Sequence, residues 1–141
     1  MRNILKKTFL IIFCVLTLIP IAAPVFLSLV ALLTRGLFLY DFLMPMELIL
    51  FTLAGATGMI VMSALYNENY RKILSYVLLA LANFVLAQIY ANLSGLAHGD
   101  TELTGVHVFI IAVFVSFQHL FALLTAVESF SMLKRLWQVS S

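Results

Sequence analysis

Four long runs of apolar residues constrain this chain more than any other feature of its sequence. They extend over about residues 8–34, 45–66, 73–93 and 106–128, and Lys, Arg, Asp and Glu occur only near their ends. A helix needs about 20 mostly apolar residues to cross the roughly 30 Å hydrocarbon core of a bilayer. The runs therefore predict four membrane-spanning helices.

Composition indicates that lipid surrounds much of the chain. Hydrophobic residues make up 64% of the sequence and charged residues 10%, whereas soluble domains are about half apolar and a quarter charged. Strands of a membrane barrel are about ten residues long and alternate in polarity, but these runs are longer and uniformly apolar. We predict one all-α domain over residues 1–141, a polytopic membrane protein whose four transmembrane helices form an antiparallel bundle.

The distribution of Lys and Arg predicts how the bundle is oriented. Cytoplasmic loops of membrane proteins carry an excess of these two residues. With four spans, one side of the membrane holds seven of them and the other side only Arg35. The seven are Arg2, Lys6, Lys7, Arg71, Lys72, Lys134 and Arg135. Both termini and the middle loop are therefore expected in the cytoplasm, and the plasma (inner) membrane is the expected location.

The basic start and apolar stretch at the N-terminus also resemble a signal peptide. The apolar run continues well past a normal signal core, and no clear cleavage site follows it. We expect this segment to remain as the first helix.

Several functional classes find no support in the sequence. The net charge of +2 and the absence of a basic stripe argue against nucleic-acid binding. Cys14 is the only cysteine, which excludes an internal disulfide, a CxxC pair and a cysteine metal cage. No nucleophile constellation or phosphate-binding loop is present, so no catalytic residue and no cofactor is predicted, and an enzymatic role is disfavoured without being excluded.

Polar residues at the middle of the predicted spans form the main candidate site. Asn83 lies midway along the third span, and Gln118 and His119 lie midway along the fourth. Pro20 and Pro24 lie at a similar depth in the first, where each frees a backbone carbonyl that an amide could satisfy. Such a layer is either a ligand, ion or proton site or a set of hydrogen bonds that hold helices together.

Small residues at helical spacing predict the faces through which the helices pack. They allow membrane helices to approach closely. The predicted packing residues are Ala54 and Gly58 in the second span, Ala80, Ala87 and Ala91 in the third, and Ala112 and Ser116 in the fourth.

Metal and haem sites are weaker hypotheses. His98, Asp100 and His107 are close in sequence and contain metal-ligating groups, but their spacing matches no tetrahedral zinc pattern. His107 and His119 are separated on one helix by about 18 Å of rise, so they cannot both bind one haem. A haem would need a histidine from a second subunit.

Three functional hypotheses follow. The leading one is an accessory or structural subunit that packs beside a larger membrane protein. The alternative is a homo-oligomeric transporter or channel that uses Asn83, Gln118 and His119. The third is a haem or redox subunit centred on His119.

Overall fold

The computed structural model describes residues 2–36, 44–99, 101–102 and 104–139, and within these ranges all regular structure is helical. The helices are α1 (Arg2–Arg35), α2 (Met44–Glu47), α3 (Ile49–Leu65), α4 (Arg71–Leu93) and α5 (Val106–Val139), with a 3₁₀ turn at Leu96–His98 between the last two. The prediction of an all-helical fold is confirmed.

Three of these helices, α1, α4 and α5, are long and apolar enough to cross a membrane, as expected of a membrane protein. The predicted second span is divided. The helix breaks at Leu48, so α3 has 17 residues and a length of about 25 Å, slightly less than the hydrocarbon core. The predicted fourth span lies within α5, which continues without interruption to Val139.

Helix α1 buries one of its faces, which carries both apolar and polar side chains. Leu10, Cys14 and Thr17 lie one turn apart on this face, and it continues through both prolines to Ser28. The Thr17 hydroxyl donates to the Cys14 carbonyl at 2.8 Å, and the Ser28 hydroxyl donates to the Pro24 carbonyl at 2.6 Å. Because both hydroxyls donate hydrogen bonds within their own helix, this face can be buried without leaving them unbonded.

Helix α3 approaches α1 through two glycines. A Cβ atom on Gly55 would lie 2.6 Å from the Phe13 carbonyl oxygen and 2.8 Å from the Thr17 backbone nitrogen. A Cβ atom on Gly58 would collide with the ring of Phe13. The backbones of α1 and α3 are therefore as close as glycine allows, which is a common way for membrane helices to pack.

The other helices complete a bundle around α1 and α5. Helix α1 packs against α3 on one side and α5 on the other, and α4 packs mainly against α5. A core of apolar side chains joins four helices towards one end of the bundle, including Leu10, Met59, Ile73 and Leu136. At this end α3 and α4 are joined by a short turn, in which Asn67 takes the left-handed conformation with a φ of 54°.

Several basic residues lie at the same end of the bundle. The Lys6 ammonium lies 5.1 Å from the centre of the Tyr66 ring, and the Lys7 ammonium lies 4.7 Å from that of Trp137. Arg135 donates to Glu128 at 3.0 Å and lies 3.9 Å from Glu68. These contacts place the start of α1, the α3–α4 turn and the last turns of α5 side by side.

Large apolar side chains cover the outside of the bundle. Leu33, Leu50, Leu65 and Phe109 each expose more than two thirds of their surface, and many other Leu, Val, Ile and Phe residues are at least one third exposed. Soluble monomers rarely expose contiguous apolar patches of this extent. The perimeter therefore suits a lipid environment.

Candidate functional site

The mid-membrane polar residues Asn83 and Gln118 meet between α4 and α5. The side-chain amide of Asn83 donates to the Phe114 carbonyl at 3.0 Å and to the Gln118 side-chain oxygen at 3.1 Å. Both side chains are buried, with 8% of Asn83 and 2% of Gln118 exposed. The structure thus brings together two of the three predicted site residues in one interhelical contact, which we call the Asn83–Gln118 clamp.

The clamp uses both donors of Asn83. A side-chain amide has two N–H groups, and here one goes to a backbone carbonyl and the other to Gln118. Neither donor of Asn83 is therefore left for the carbonyls that the α1 prolines free. Asn83 faces α5, and both hydrogen bonds of its amide go to that helix.

His119 is half-buried next to the clamp. Its Nδ1 atom lies 2.9 Å from the Val115 carbonyl, one turn earlier on the same helix. Because a carbonyl only accepts, this contact requires a proton on Nδ1. Gln118 and His119 are consecutive on α5 and so point about 100° apart. Gln118 meets α4, whereas the described bond of His119 stays within α5.

The neutral groups of the clamp can hold helices but offer little chemistry. Amides titrate neither as acids nor as bases in the physiological range, and no carboxylate is among the partners described for Asn83 and Gln118. Interhelical hydrogen bonds of this kind contribute about 0.6 kcal/mol each on average. The geometry is that of a structural contact within the membrane.

The predicted packing residues divide into two groups. Gly58 and Ala80 are buried between helices, and Ala87 and Ala91 are half-buried on α4. In contrast, Ala54, Ala112 and Ser116 are exposed on the surface of the bundle. In α3, Gly55 and Gly58 form the contact with α1, and Ala54 points away from it. Any packing role of the exposed group involves something outside this chain and stays a prediction.

A shallow groove marks the exposed surface of α5, and we call it the α5 groove. It has a volume of about 360 Å³. Its floor includes Ala112 and Ser116, and Phe109, Phe117 and Leu120 are among the larger side chains around them. The Ser116 hydroxyl donates to the Ala112 carbonyl at 2.7 Å, so the floor presents little unsatisfied polarity to a neighbour.

The candidate metal ligands are not assembled by the described part of the chain. His98 is exposed at the end of the 3₁₀ turn, Asp100 lies outside the described residues, and the Nδ1 atom of His107 is 2.7 Å from the Tyr90 hydroxyl. Among the described residues, no group of three or more His, Cys, Asp or Glu side chains is placed to hold a metal ion.

Sequence reasoning missed the partners in these contacts. It identified Asn83, Gln118 and His119 as unusual by depth, but not that Asn83 would bond the Phe114 carbonyl. Nor did it predict the bond between Tyr90 and His107. A backbone carbonyl leaves no signal in a sequence, since every residue has one. The Asn83–Gln118 pairing depends on the relative rotation of α4 and α5, which no local pattern specifies.

Comparison with protein-family models, with curated proteins and with solved structures gives no match for this chain.

Proposed function

We propose that this chain is an accessory or structural subunit of a membrane complex, which crosses the bilayer four times and packs beside a larger membrane partner. Both termini lie in the cytoplasm, and the membrane is the plasma (inner) membrane. The observation that carries this proposal is the α5 groove, because its small residues are exposed on a helix whose other face is occupied by α1 and α4.

The charge distribution supports the proposed topology. The basic residues near the start of α1, the α3–α4 turn and the end of α5 lie at one end of the bundle. This arrangement requires α3 to run back along α1, so α3 and α2 together would complete a second crossing. Met44–Glu47 adds roughly 6 Å to the 25 Å of α3, which brings the pair close to the thickness of the hydrocarbon core.

The clamp supports a structural role over a transport pathway. A pathway for ions or protons through a bundle usually uses ionisable side chains in its interior. Here the two most buried polar amides of the mid-membrane layer bond each other and the backbone. They hold α4 against α5 and so keep the α5 groove in place on the outside.

The partner would be recognised by shape. Exposed small residues one turn apart allow the backbone of a second helix to approach closely. Ala112 and Ser116 supply this close approach, and the ridges formed by Phe109 and Phe117 would limit the crossing angle of the incoming helix. A transmembrane helix of the larger protein is the occupant that we expect.

Native mass spectrometry of the protein, extracted in mild detergent from its own membranes, tests this proposal. The wild type is expected to retain one or more larger, different chains. The double variant Ala112→Leu, Ser116→Leu is expected to lose them, because two leucines fill the groove. Ala22→Leu is the matched control, since Ala22 is small and exposed on α1, and it should keep the partner.

Two results would count against the proposal. A wild-type mass that is a pure multiple of this chain would favour the homo-oligomeric alternative. Retention of the partner by the double variant would mean that another surface binds it. Circular dichroism of each variant checks that the helices are intact, and little loss is expected because both substituted positions face outward.

A further inference from the structure

A second groove lies between the outer halves of α3 and α4, and we call it the α3–α4 groove. Ile49, Leu50 and Leu53 line it from α3, and Leu81 and Phe84 line it from α4. Its volume is about 510 Å³, within the range of sites for small ligands. Along α4 it extends for about 10 Å, from Leu81 to Gln88.

The groove forms because α3 packs mainly against α1 and not against α4. Gly55 and Gly58 allow α3 to pack closely against α1, whereas α4 packs mainly against α5. The short turn after Leu65 holds α3 and α4 together at the basic end of the bundle, but their opposite halves leave the space that Leu53 and Leu81 border. The groove is therefore a consequence of the fold and opens towards the lipid.

Among the described residues that line the α3–α4 groove, polar side chains occur at one end. Glu47, the last residue of α2, and Gln88 of α4 both line this end of the groove. The Glu47 side chain is exposed, and within the described residues it has no ion pair. The remaining lining is apolar, so the groove has an anionic mouth and a hydrocarbon interior.

We propose that the α3–α4 groove binds a phospholipid with a primary ammonium head group, phosphatidylethanolamine, with one acyl chain along the groove and the ammonium at Glu47. A primary ammonium has three N–H donors, so it can bond the Glu47 carboxylate and the Gln88 oxygen together. Hydrogen bonds with an ionised partner are stronger than neutral ones. The quaternary ammonium of phosphatidylcholine has no N–H group, and the anionic head of phosphatidylglycerol is repelled by Glu47.

The charge of its mouth favours a lipid over a helix of another protein. Glu47 lines the groove at the end of the bundle opposite the basic residues. With the proposed topology this is the non-cytoplasmic side, where membrane proteins carry few Lys and Arg residues, so a lipid ammonium is the more available cation. This lipid site goes beyond the proposed subunit role and uses a surface formed by different helices.

The test is native mass spectrometry of the purified full chain with equal amounts of phosphatidylethanolamine, phosphatidylcholine and phosphatidylglycerol that carry identical acyl chains. We expect the wild type to bind phosphatidylethanolamine about two- to fivefold more than phosphatidylcholine, the range for a partly exposed ion pair. Glu47→Gln should bring this ratio close to one. Glu102→Gln is the matched control, because Glu102 is also exposed but does not line the groove, and it should keep the preference.

A second variant tests the apolar interior separately. Leu50 is 71% exposed and lines the groove, so Leu50→Trp should fill it without disturbing the core and should reduce bound phosphatidylethanolamine and phosphatidylcholine alike. Equal binding of the two lipids by the wild type would overturn the proposal, as would an unchanged preference in Glu47→Gln. A polypeptide that displaces lipid from the wild type, but not from Leu50→Trp, would overturn it in favour of a protein occupant.

Discussion

At the scale of single residues, Asn83 has a polar amide in the middle of an apolar helix. An unsatisfied polar group in lipid costs several kcal/mol, and the fold avoids this cost by directing both donors of Asn83 to α5. The same residue type at the same depth would face lipid if α4 were rotated by half a turn. The bundle therefore requires Asn83 to lie on the face of α4 that packs against α5.

A double-mutant cycle should detect the Asn83–Gln118 clamp. We expect Asn83→Leu and Gln118→Leu each to destabilise the protein, and the pair to show a coupling of about 0.6–1.7 kcal/mol, the range measured for interhelical hydrogen bonds in membranes. The measurement is reversible unfolding in mixed micelles. Substitution of exposed Gln138 in place of Gln118 provides an uncoupled control. Additive single effects would show that the clamp contributes nothing beyond its separate residues.

At the scale of helices, the contact between α1 and α3 depends on two glycines that differ in what they touch. The atoms nearest to a Cβ on Gly55 include backbone atoms of Phe13 and Thr17, whereas those nearest to a Cβ on Gly58 belong to the Phe13 ring. Backbone atoms of a packed helix can move only if the helix moves. A ring can turn aside, and Phe13 is only partly buried.

The two glycines should therefore respond differently to the same change. We expect Gly55→Ala to destabilise the bundle by about 1–3 kcal/mol, the usual range for overpacking. Gly58→Ala should cost about 1 kcal/mol or less, because Phe13 can yield and alanine favours the helix by about 1 kcal/mol. Thermal unfolding in detergent, followed by circular dichroism, would compare them. Equal losses in both variants would contradict the close backbone approach at Gly55.

At the scale of the whole molecule, the two ends of the bundle should lie on opposite sides of the membrane, with the basic end in the cytoplasm. In a chain with Cys14→Ala, single cysteines at Glu102, Asn69 and Gln138 can be labelled with a membrane-impermeant maleimide. Four spans with cytoplasmic termini predict that Glu102→Cys reacts in intact cells. Asn69→Cys and Gln138→Cys should react only after permeabilisation, because they lie at the basic end.

An inverted pattern would contradict the proposed orientation. The start of α1, the α3–α4 turn and the last turns of α5 lie side by side. Labelling of Asn69→Cys and Gln138→Cys in intact cells, with Glu102→Cys protected, would therefore place both termini outside the cell. A denatured sample, in which all three cysteines react, controls for access to each position.

By itself, the sequence determined the helical class, the membrane environment and the approximate bounds of α1 and α4. The reason is that burial in lipid requires long apolar segments, and hydrogen bonding within lipid requires helices. These requirements act on each segment alone. The same local logic identified Asn83, Gln118 and His119 as unusual by depth, but it did not predict that Asn83 and Gln118 bond each other.

The tertiary structure decided how the segments are rotated and paired. The predicted second span carries Pro45 and Glu47 only near its start, yet the helix breaks at Leu48. The last turns of α5 belong to the bundle, because Met132 and Leu136 are buried there. Ala54 and Gly58 share a spacing, but only Gly58 faces α1. Contacts of this kind depend on residues far apart in the chain, so local periodicity does not contain them.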